Sequence, residues 1–302
     1  MCYLIRVPAT SANLGPGFDC LGLALDFWNE IEVEATGTSL NINIVGEGAE
    51  TLPTDEQNSI YQTMQQYAAR HHKTLPQGLQ ITCRNRIPLG AGLGSSAAAI
   101  VGGILAATAV LKLPTNLEDQ LDCATQIEGH PDNVAPCLLG GMVAAIVDQQ
   151  KVVARRYEAA PLSLVLAVPY FPFPTKKSRA SLPVDVSRQD AIFNLSRLVF
   201  LIEALQNGDI NLLSFGMQDM LHQPYRIPLI PGATTAIQAA REAGAAAVVL
   251  SGAGPSLLAV LKSKDHEQQV ITAMENAFQA AGLQSRHFTP GISHSGAFVI
   301  NL

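Results

Sequence analysis

The chain has 302 residues, 48% of them hydrophobic and 15% charged, and a formal net charge of −6. That apolar content excludes intrinsic disorder, because it can offset the conformational entropy lost on folding, and an acidic chain with no basic block has no electrostatic footprint for DNA or RNA. At roughly 100–200 residues per domain, the length fits two domains or one large one.

The N-terminus, Met1-Cys-Tyr-Leu-Ile-Arg-Val-Pro, lacks the charged-then-apolar layout of a secretory leader. Ile31, Val33 and Ala35 alternate with Glu30, Glu32 and Glu34, and Ile42 and Ile44 alternate with Asn41 and Asn43. Both patterns predict half-solvated antiparallel strands. Apolar residues at 60, 64, 67, 68 and 71 then predict a helix over 58–72, followed by a strand at 79–84. A glycine-rich loop leads into a helix over 97–111, whose 15 residues fall short of the roughly 20 needed to span a bilayer. A second helix at 117–128 precedes a Gly-His-Pro-Asp-Asn turn and an apolar strand at 142–147. The pattern loosens over 151–161, which places a domain boundary there and divides the chain into 1–160 and 161–302. A strand at 162–168, a Pro-rich loop over 169–183 and an amphipathic helix over 190–206 come next. Gly244 and Gly282 each read as the residue that ends a helix, with short strands at 246–250 and 257–261 between them and a last strand at 297–301. Strands and helices mix without a strict βαβ rhythm, so the expected class is α+β. Cysteines at 2, 20, 83, 123 and 137 form no Cys-x-x-Cys pair. They read as reduced thiols of a cytoplasmic protein with no disulfide framework or zinc site.

The segment richest in chemistry is Pro88-Leu-Gly-Ala-Gly-Leu-Gly-Ser-Ser-Ala-Ala-Ala99. Its alternate glycines allow positive φ and close approach to a ligand. Ser95 and Ser96 suit an N-cap, and the alanines propagate the helix. A helix N-terminus behind a glycine loop favours phosphate, and an acidic chain needs such a local device because its overall field repels anions. The segment is neither a Walker A loop, since no Lys-Ser or Lys-Thr follows a glycine, nor a G-x-G-x-x-G fingerprint.

This loop resembles the nucleotide loop of the GHMP small-molecule kinases. Ser251-Gly-Ala-Gly-Pro-Ser256 is similar to their C-terminal glycine motif, and Pro8-Ala-Thr-Ser-Ala-Asn-Leu-Gly15 to their N-terminal one. Within that superfamily the block Val7–Gly22, together with Glu128-Gly-His-Pro-Asp-Asn-Val-Ala-Pro136, Thr175-Lys-Lys-Ser-Arg179 and His222-Gln-Pro-Tyr-Arg226, most resembles homoserine kinases. The Gly-Glu-His motifs of galactokinases and mevalonate kinases are absent. The resemblance implies a two-lobed α+β fold, with an N-terminal lobe like the second domain of ribosomal protein S5 and a ferredoxin-like C-terminal lobe. It also implies ATP and Mg²⁺ as cofactors, L-homoserine as substrate, no nucleic-acid or membrane partner, and a homodimer.

Carried over residue by residue, the resemblance gives Pro88, Leu89, Gly90, Ala91, Gly92, Leu93, Gly94, Ser95, Ser96, Ala97 and Ala98 to ATP. Homoserine is assigned to Asn13, Asp19, His130, Thr175, Arg179, Arg226, Gly252 and Gly254. Asp19 would pair with the ammonium, and the planar forks of Arg179 and Arg226 suit the carboxylate. Ser96 is implied as a Mg²⁺ ligand. Relatives place the opposing carboxylate about ten residues before the Asp of the Asp-Asn turn; that spacing prefers Asp122, with Glu128 the alternative. Some relatives use an Asp at this turn as base, whereas homoserine kinases carry an Asn matching Asn133. The expected reaction is therefore direct attack by the substrate hydroxyl, with Asp132 the alternative base. Two further readings stay open: a GHMP kinase for another small alcohol, and a silent ligand sensor that keeps the fold.

Overall fold

A computed structural model describes all 302 residues. The chain opens on two long antiparallel strands, β1 (Cys2–Asn13) and β2 (Gly17–Glu34), in which Ile5 faces Ile31. Ile31 and Val33 are buried while the glutamates between them reach solvent, as the alternation requires. After β3 (Leu40–Gly46) come α1 (Ser59–Arg70), β4 (Leu79–Asn85), α2 (Ser95–Val110), α3 (Leu117–Glu128) and α4 (Pro131–Leu139). The hairpin β5 (Met142–Asp148) and β6 (Lys151–Tyr157) completes the first lobe. The second begins with β7 (Leu164–Pro169), then α5 (Thr175–Ala180), α6 (Arg188–Asn207), α7 (Ile210–Gly216), α8 (Gln223–Arg226) and α9 (Ala233–Glu242). It ends with β8 (Ala245–Leu250), β9 (Leu257–Leu261), α10 (Glu267–Ala280) and β10 (Ser285–Phe288), before β11 (Phe298–Asn301) closes the chain.

The first sheet runs β11-β1-β2-β4-β3, with β5 pairing β2 and β6. Helix α2 is apolar all round because it is buried nearly all round, between this sheet and α1, α3 and α4. The second sheet runs β10-β7-β9-β8, entirely antiparallel. Strands β7, β8 and β9 are continuous apolar runs because both their faces are covered, whereas the edge strand β10 (Ser-Arg-His-Phe) is partly exposed. Val165 and Ala167 pack with α9 and α10, whereas Leu164, Leu166 and Val168 join the large core shared with the first lobe.

Several sequence expectations change. Strand β3 pairs with β4 in parallel, not antiparallel; period-2 alternation reports burial of one face and is blind to strand direction. Residues 151–157, where the pattern loosens, form an exposed edge strand. The Gly-His-Pro-Asp-Asn segment is a helix junction, not a free turn. Gly129 (φ 93°) ends α3, His130 is the N-cap of α4, and Pro131 takes the first helical position. Residues 175–180 inside the expected loop form α5. Helix α6 leaves Ile192, Leu195 and Val199 exposed. The chain passes from one sheet to the other between β6 and β7, but β11 returns to pair with β1, so residues 298–301 belong to the first sheet.

Candidate active site

The phosphate loop is anchored at its start by Asn29, whose Oδ1 accepts from the backbone N–H of Arg86 (2.7 Å) and Ile87 (2.9 Å). Gly90, Gly92 and Gly94 all have positive φ, at 62°, 75° and 70°. Ser95 and Ser96 are not the N-cap: Gly94 in the left-handed region turns the chain straight into α2, and no side chain caps it. The N–H groups of the first turn therefore stay available to an anion. The Ser96 hydroxyl instead donates to Glu128 Oε2 at 2.7 Å.

The C-terminal glycine motif packs directly onto this loop. The Ser251 hydroxyl donates to the Gly92 carbonyl (2.7 Å) and accepts from Ser11 (2.9 Å). The Gly252 N–H donates to the Ala12 carbonyl, and the Asn13 amide donates to the Gly252 carbonyl at 2.9 Å. Three motifs far apart in sequence thus form one backbone cradle.

Beside the cradle lies a cleft of about 300 Å³ with only two hydrophobic residues among the 17 that line it. Asn13 at the end of β1, Leu14 in the turn and Asp19 at the start of β2 hold positive φ (69°, 49° and 57°), the kind of strain that a fold retains at functional sites. Asn13 Oδ1 accepts from the Asp19 N–H, so this amide spends most of its capacity shaping the turn. Asp19 is not free either: Arg179 grips it through two Nη–Oδ bonds of 2.7 and 2.8 Å. The separate ammonium and carboxylate partners expected from sequence are thus joined in one bidentate pair, which raises the Arg179 pKa. Thr175 and Gly252 also line the cleft, as does Arg226, which is 1% exposed. Burial, together with the neighbouring Arg179, pushes the Arg226 pKa down to about 10, and its Nε has no partner. A buried guanidinium that lines the cleft is suited to an incoming carboxylate.

On the opposite wall, Asp132 Oδ1 lies 2.6 Å from His130 Nδ1. Asn133 Oδ1 accepts from the buried Thr10 hydroxyl at 2.8 Å. Helix α4 can approach this closely because Gly22 has no side chain; a Cβ there would lie 1.9 Å from the Asp132 carbonyl oxygen. The Asp132 hydrogen bond raises the His130 pKa above 6.5. A ring that binds its proton more tightly in the folded chain adds stability that is complete below pH 6.5 and fades as pH rises through the raised value. NMR titration is expected to place His130 above the ordinary value in the native chain and to lower it in Asp132→Asn. An unchanged midpoint would show that the pair does not hold the proton.

Asp122 does not reach the cleft. Its Oδ1 accepts from the Val152 N–H at 2.7 Å, tying α3 to β6. Asp122 and Glu128 are six positions apart, which at 3.6 residues per turn sets them about 120° apart around the helix, so only one can face Ser96. Glu128 lines the cleft. Leu93 and Ala97 are core residues, and Gly254 faces Ile230, Leu250 and Phe173 instead of the cleft. Pro88 lies on a neighbouring groove against Pro169–Pro174. A second cavity of about 270 Å³ adjoins the first and shares Gly90, Ser95 and Ser96 with it. Ile31, Ile44, Ile60, Leu89 and Ala98 give it an apolar lining. Sequence reasoning did not find that cavity, nor Thr10, Ser11 and Ser178 as supports. Ser178, in α5, donates to the Ala253 carbonyl at 2.9 Å.

Known proteins resemble the chain over nearly its whole length. Residues 58–141 match the GHMP kinases N terminal domain, and residues 201–280 match the GHMP kinases C terminal domain. A homoserine kinase of Moorella thermoacetica is 44% identical over 298 residues, covering 98% of this chain and 99% of that protein. One from Gloeobacter violaceus is also 44% identical, over 302 residues, covering 99% and 98%. The crystal structure of homoserine kinase from Cytophaga hutchinsonii superimposes with a TM-score of 0.88 at 30% identity, covering 99% and 97% of the two chains. With full-length relatives at this identity and both family domains matched in order, the chain belongs to the homoserine kinase family of the GHMP kinases.

Proposed function

We propose that the protein transfers the γ-phosphoryl group of ATP to the side-chain hydroxyl of L-homoserine, giving O-phospho-L-homoserine and ADP, a step of threonine biosynthesis. The observation that carries this reading is a single cleft that sets the uncapped start of α2 beside Asp19, Arg179 and Arg226. In the proposed complex the ATP phosphates lie on the Gly90–Ser96 backbone, and the base enters the apolar cavity beyond Ser95 and Ser96. The homoserine carboxylate meets the Arg226 guanidinium where that residue lines the cleft, and its ammonium approaches Asp19, whose oxygens can accept beyond the two Arg179 bonds.

Ser96 and Glu128 fit a Mg²⁺ ion: a hydroxyl and a carboxylate 2.7 Å apart at the cleft wall supply two hard oxygens and leave the remaining positions to phosphate and water. When bound, that ion would neutralise charge developing on the phosphates. The chain's own contribution is placement. The homoserine oxygen attacks the γ-phosphorus in line as the bond to the bridging oxygen of ADP breaks. In a loose transition state the hydroxyl proton leaves late, to an oxygen of the transferred phosphoryl group or to water, so a strong base is not required. Thr10 occupies Asn133 Oδ1, which leaves the amide N–H groups to donate toward the reacting oxygens. Asp132 is taken up by His130.

A coupled ADP-release assay comparing L-homoserine with mevalonate and galactose tests the substrate; activity with either of the latter and none with homoserine would overturn it. Arg226→Leu removes a charge-assisted hydrogen bond, worth ~1.5–3 kcal/mol. At about 1.4 kcal/mol per tenfold, kcat/KM for homoserine is expected to fall about ten- to a hundredfold, with KM for ATP little changed. An equal loss for both substrates would make the arginine a general scaffold residue.

A further inference from the structure

His222 opens the segment that carries Arg226, and it lies outside the cleft, with a side chain that is 0% exposed. Its ring stacks on Phe18 at 5.2 Å between centroids. Nε2 lies 2.8 Å from the Gly15 carbonyl oxygen, and Nδ1 lies 3.3 Å from Arg226 Nη1. A carbonyl can only accept and a guanidinium can only donate. The two partners together therefore allow one form of the ring: neutral, with its proton on Nε2 and a lone pair on Nδ1 facing the arginine.

Nothing else on α8 grips Arg226 in this way. Its Nε has no partner, and its guanidinium otherwise rests over Phe18 at 5.1 Å, a contact that sets distance but not orientation. His222 itself is held firmly. Asp219 accepts from the backbone N–H groups of Leu221, His222 and Gln223 and from the Asn194 amide. With those four donors the carboxylate is satisfied without a proton from the ring, whose Nε2 stands 3.5 Å from Asp219 Oδ2.

We propose that His222 is a positioning residue for recognition of the substrate carboxylate: the Gly15 carbonyl fixes its Nε2–H tautomer, and the resulting Nδ1 lone pair orients Arg226 toward the cleft. The inference rests on reading Arg226 as the carboxylate-binding group. Burial, helped by the Arg226 charge, lowers the ring pKa against the opposing pull of Asp219 and Asp19, in keeping with a neutral ring.

Two amide variants separate the ring's two nitrogens. In His222→Asn the side-chain oxygen can reach the place of Nδ1 and still accept from Arg226. In His222→Gln the amide nitrogen can reach the place of Nε2 and donate to Gly15, and the acceptor facing Arg226 is lost. His222→Gln is expected to raise KM for L-homoserine about tenfold, as for one hydrogen bond to a charged group, with kcat and KM for ATP nearly unchanged. His222→Asn is expected to recover most of that loss. Equal KM values in the two variants, or a loss confined to kcat, would overturn the proposal.

Arg226→Leu is the control that distinguishes the two levels. If it leaves KM for homoserine unchanged, the pocket assignment fails and the role of His222 falls with it. If it raises KM while His222→Gln does not, only the His222 inference fails. Should the variants not fold, ¹⁵N NMR of the native chain at pH 7 decides: a pyrrole-type Nε2 with a pyridine-type Nδ1 supports the proposal, and an Nδ1–H or doubly protonated ring refutes it.

Discussion

Replacing Gly92 by valine is expected to remove phosphoryl transfer while leaving a folded chain. Gly92 has φ 75°, and a Cβ there would lie 2.2 Å from the Ser251 carbonyl oxygen and 2.9 Å from that of Gly254. Both obstacles are backbone atoms in the opposite glycine motif, so no side chain can swing aside. A β-branched residue is also strained at positive φ. The loop must retreat from the cradle, which breaks the Ser251 hydroxyl bond to the Gly92 carbonyl and shifts the N–H groups that would hold phosphate. A misplacement of about 1 Å at a reacting centre costs about 10²-fold, and both loops are displaced here. Overpacking of this kind destabilises by about 1–3 kcal/mol, which a two-lobed chain with a large shared core should survive. Coupled ADP release and thermal unfolding measure the two effects separately. A wild-type KM for ATP in Gly92→Val would show that phosphate does not sit on this loop.

What the sequence could reveal follows from how local each signal is. The glycine loop and α2 were readable because residue type and order carry them, and the resemblance to homoserine kinases singled out Asp19, Arg179 and Arg226, which line one cleft. The partners of those residues were not, because pairing is tertiary. Asp19 and Arg179 meet across 160 positions, and Thr10 meets Asn133 across 123. No spacing rule predicts either contact, and the consequence is chemical: Asp19 is part of a closed ion pair and Asn133 an amide with its oxygen occupied. The parallel pairing of β3 and the return of β11 to the first sheet were hidden for the same reason, since alternation marks a buried face and not the neighbour across it. The placement of Asp122 was different, because a local signal existed. Counting turns along α3 shows that Asp122 and Glu128 point about 120° apart, and a helix ended by Gly129 in the left-handed region brings its last residue beside the next element.

That distinction leads to the second large effect. Glu128→Ala is expected to lower kcat about 10²-fold or more, because charge stabilisation by a held metal ion is worth several kcal/mol at about 1.4 kcal/mol per tenfold. Part of the loss should return at high Mg²⁺ concentration, since in the proposed site the Ser96 oxygen and the phosphates would still be there to hold the ion. Glu128→Gln refines the test. The amide oxygen can still accept from Ser96 Oγ, so the loop stays in place, but the charge is gone; a kcat near that of Glu128→Ala assigns the effect to charge, and a kcat near wild type assigns it to the Ser96 hydrogen bond. Asp122→Ala gives the contrasting result. It deprives the Val152 N–H of its acceptor and loosens α3 from β6, at a cost of about 1 kcal/mol of stability, with kcat and its Mg²⁺ dependence unchanged. The opposite pattern, a crippled Asp122→Ala and a near-normal Glu128→Ala, would mean that α3 turns on its axis when nucleotide binds. Such a rotation would have to break both the Val152 and the Ser96 hydrogen bonds, so it should appear as faster amide exchange at Val152 in the nucleotide-bound protein.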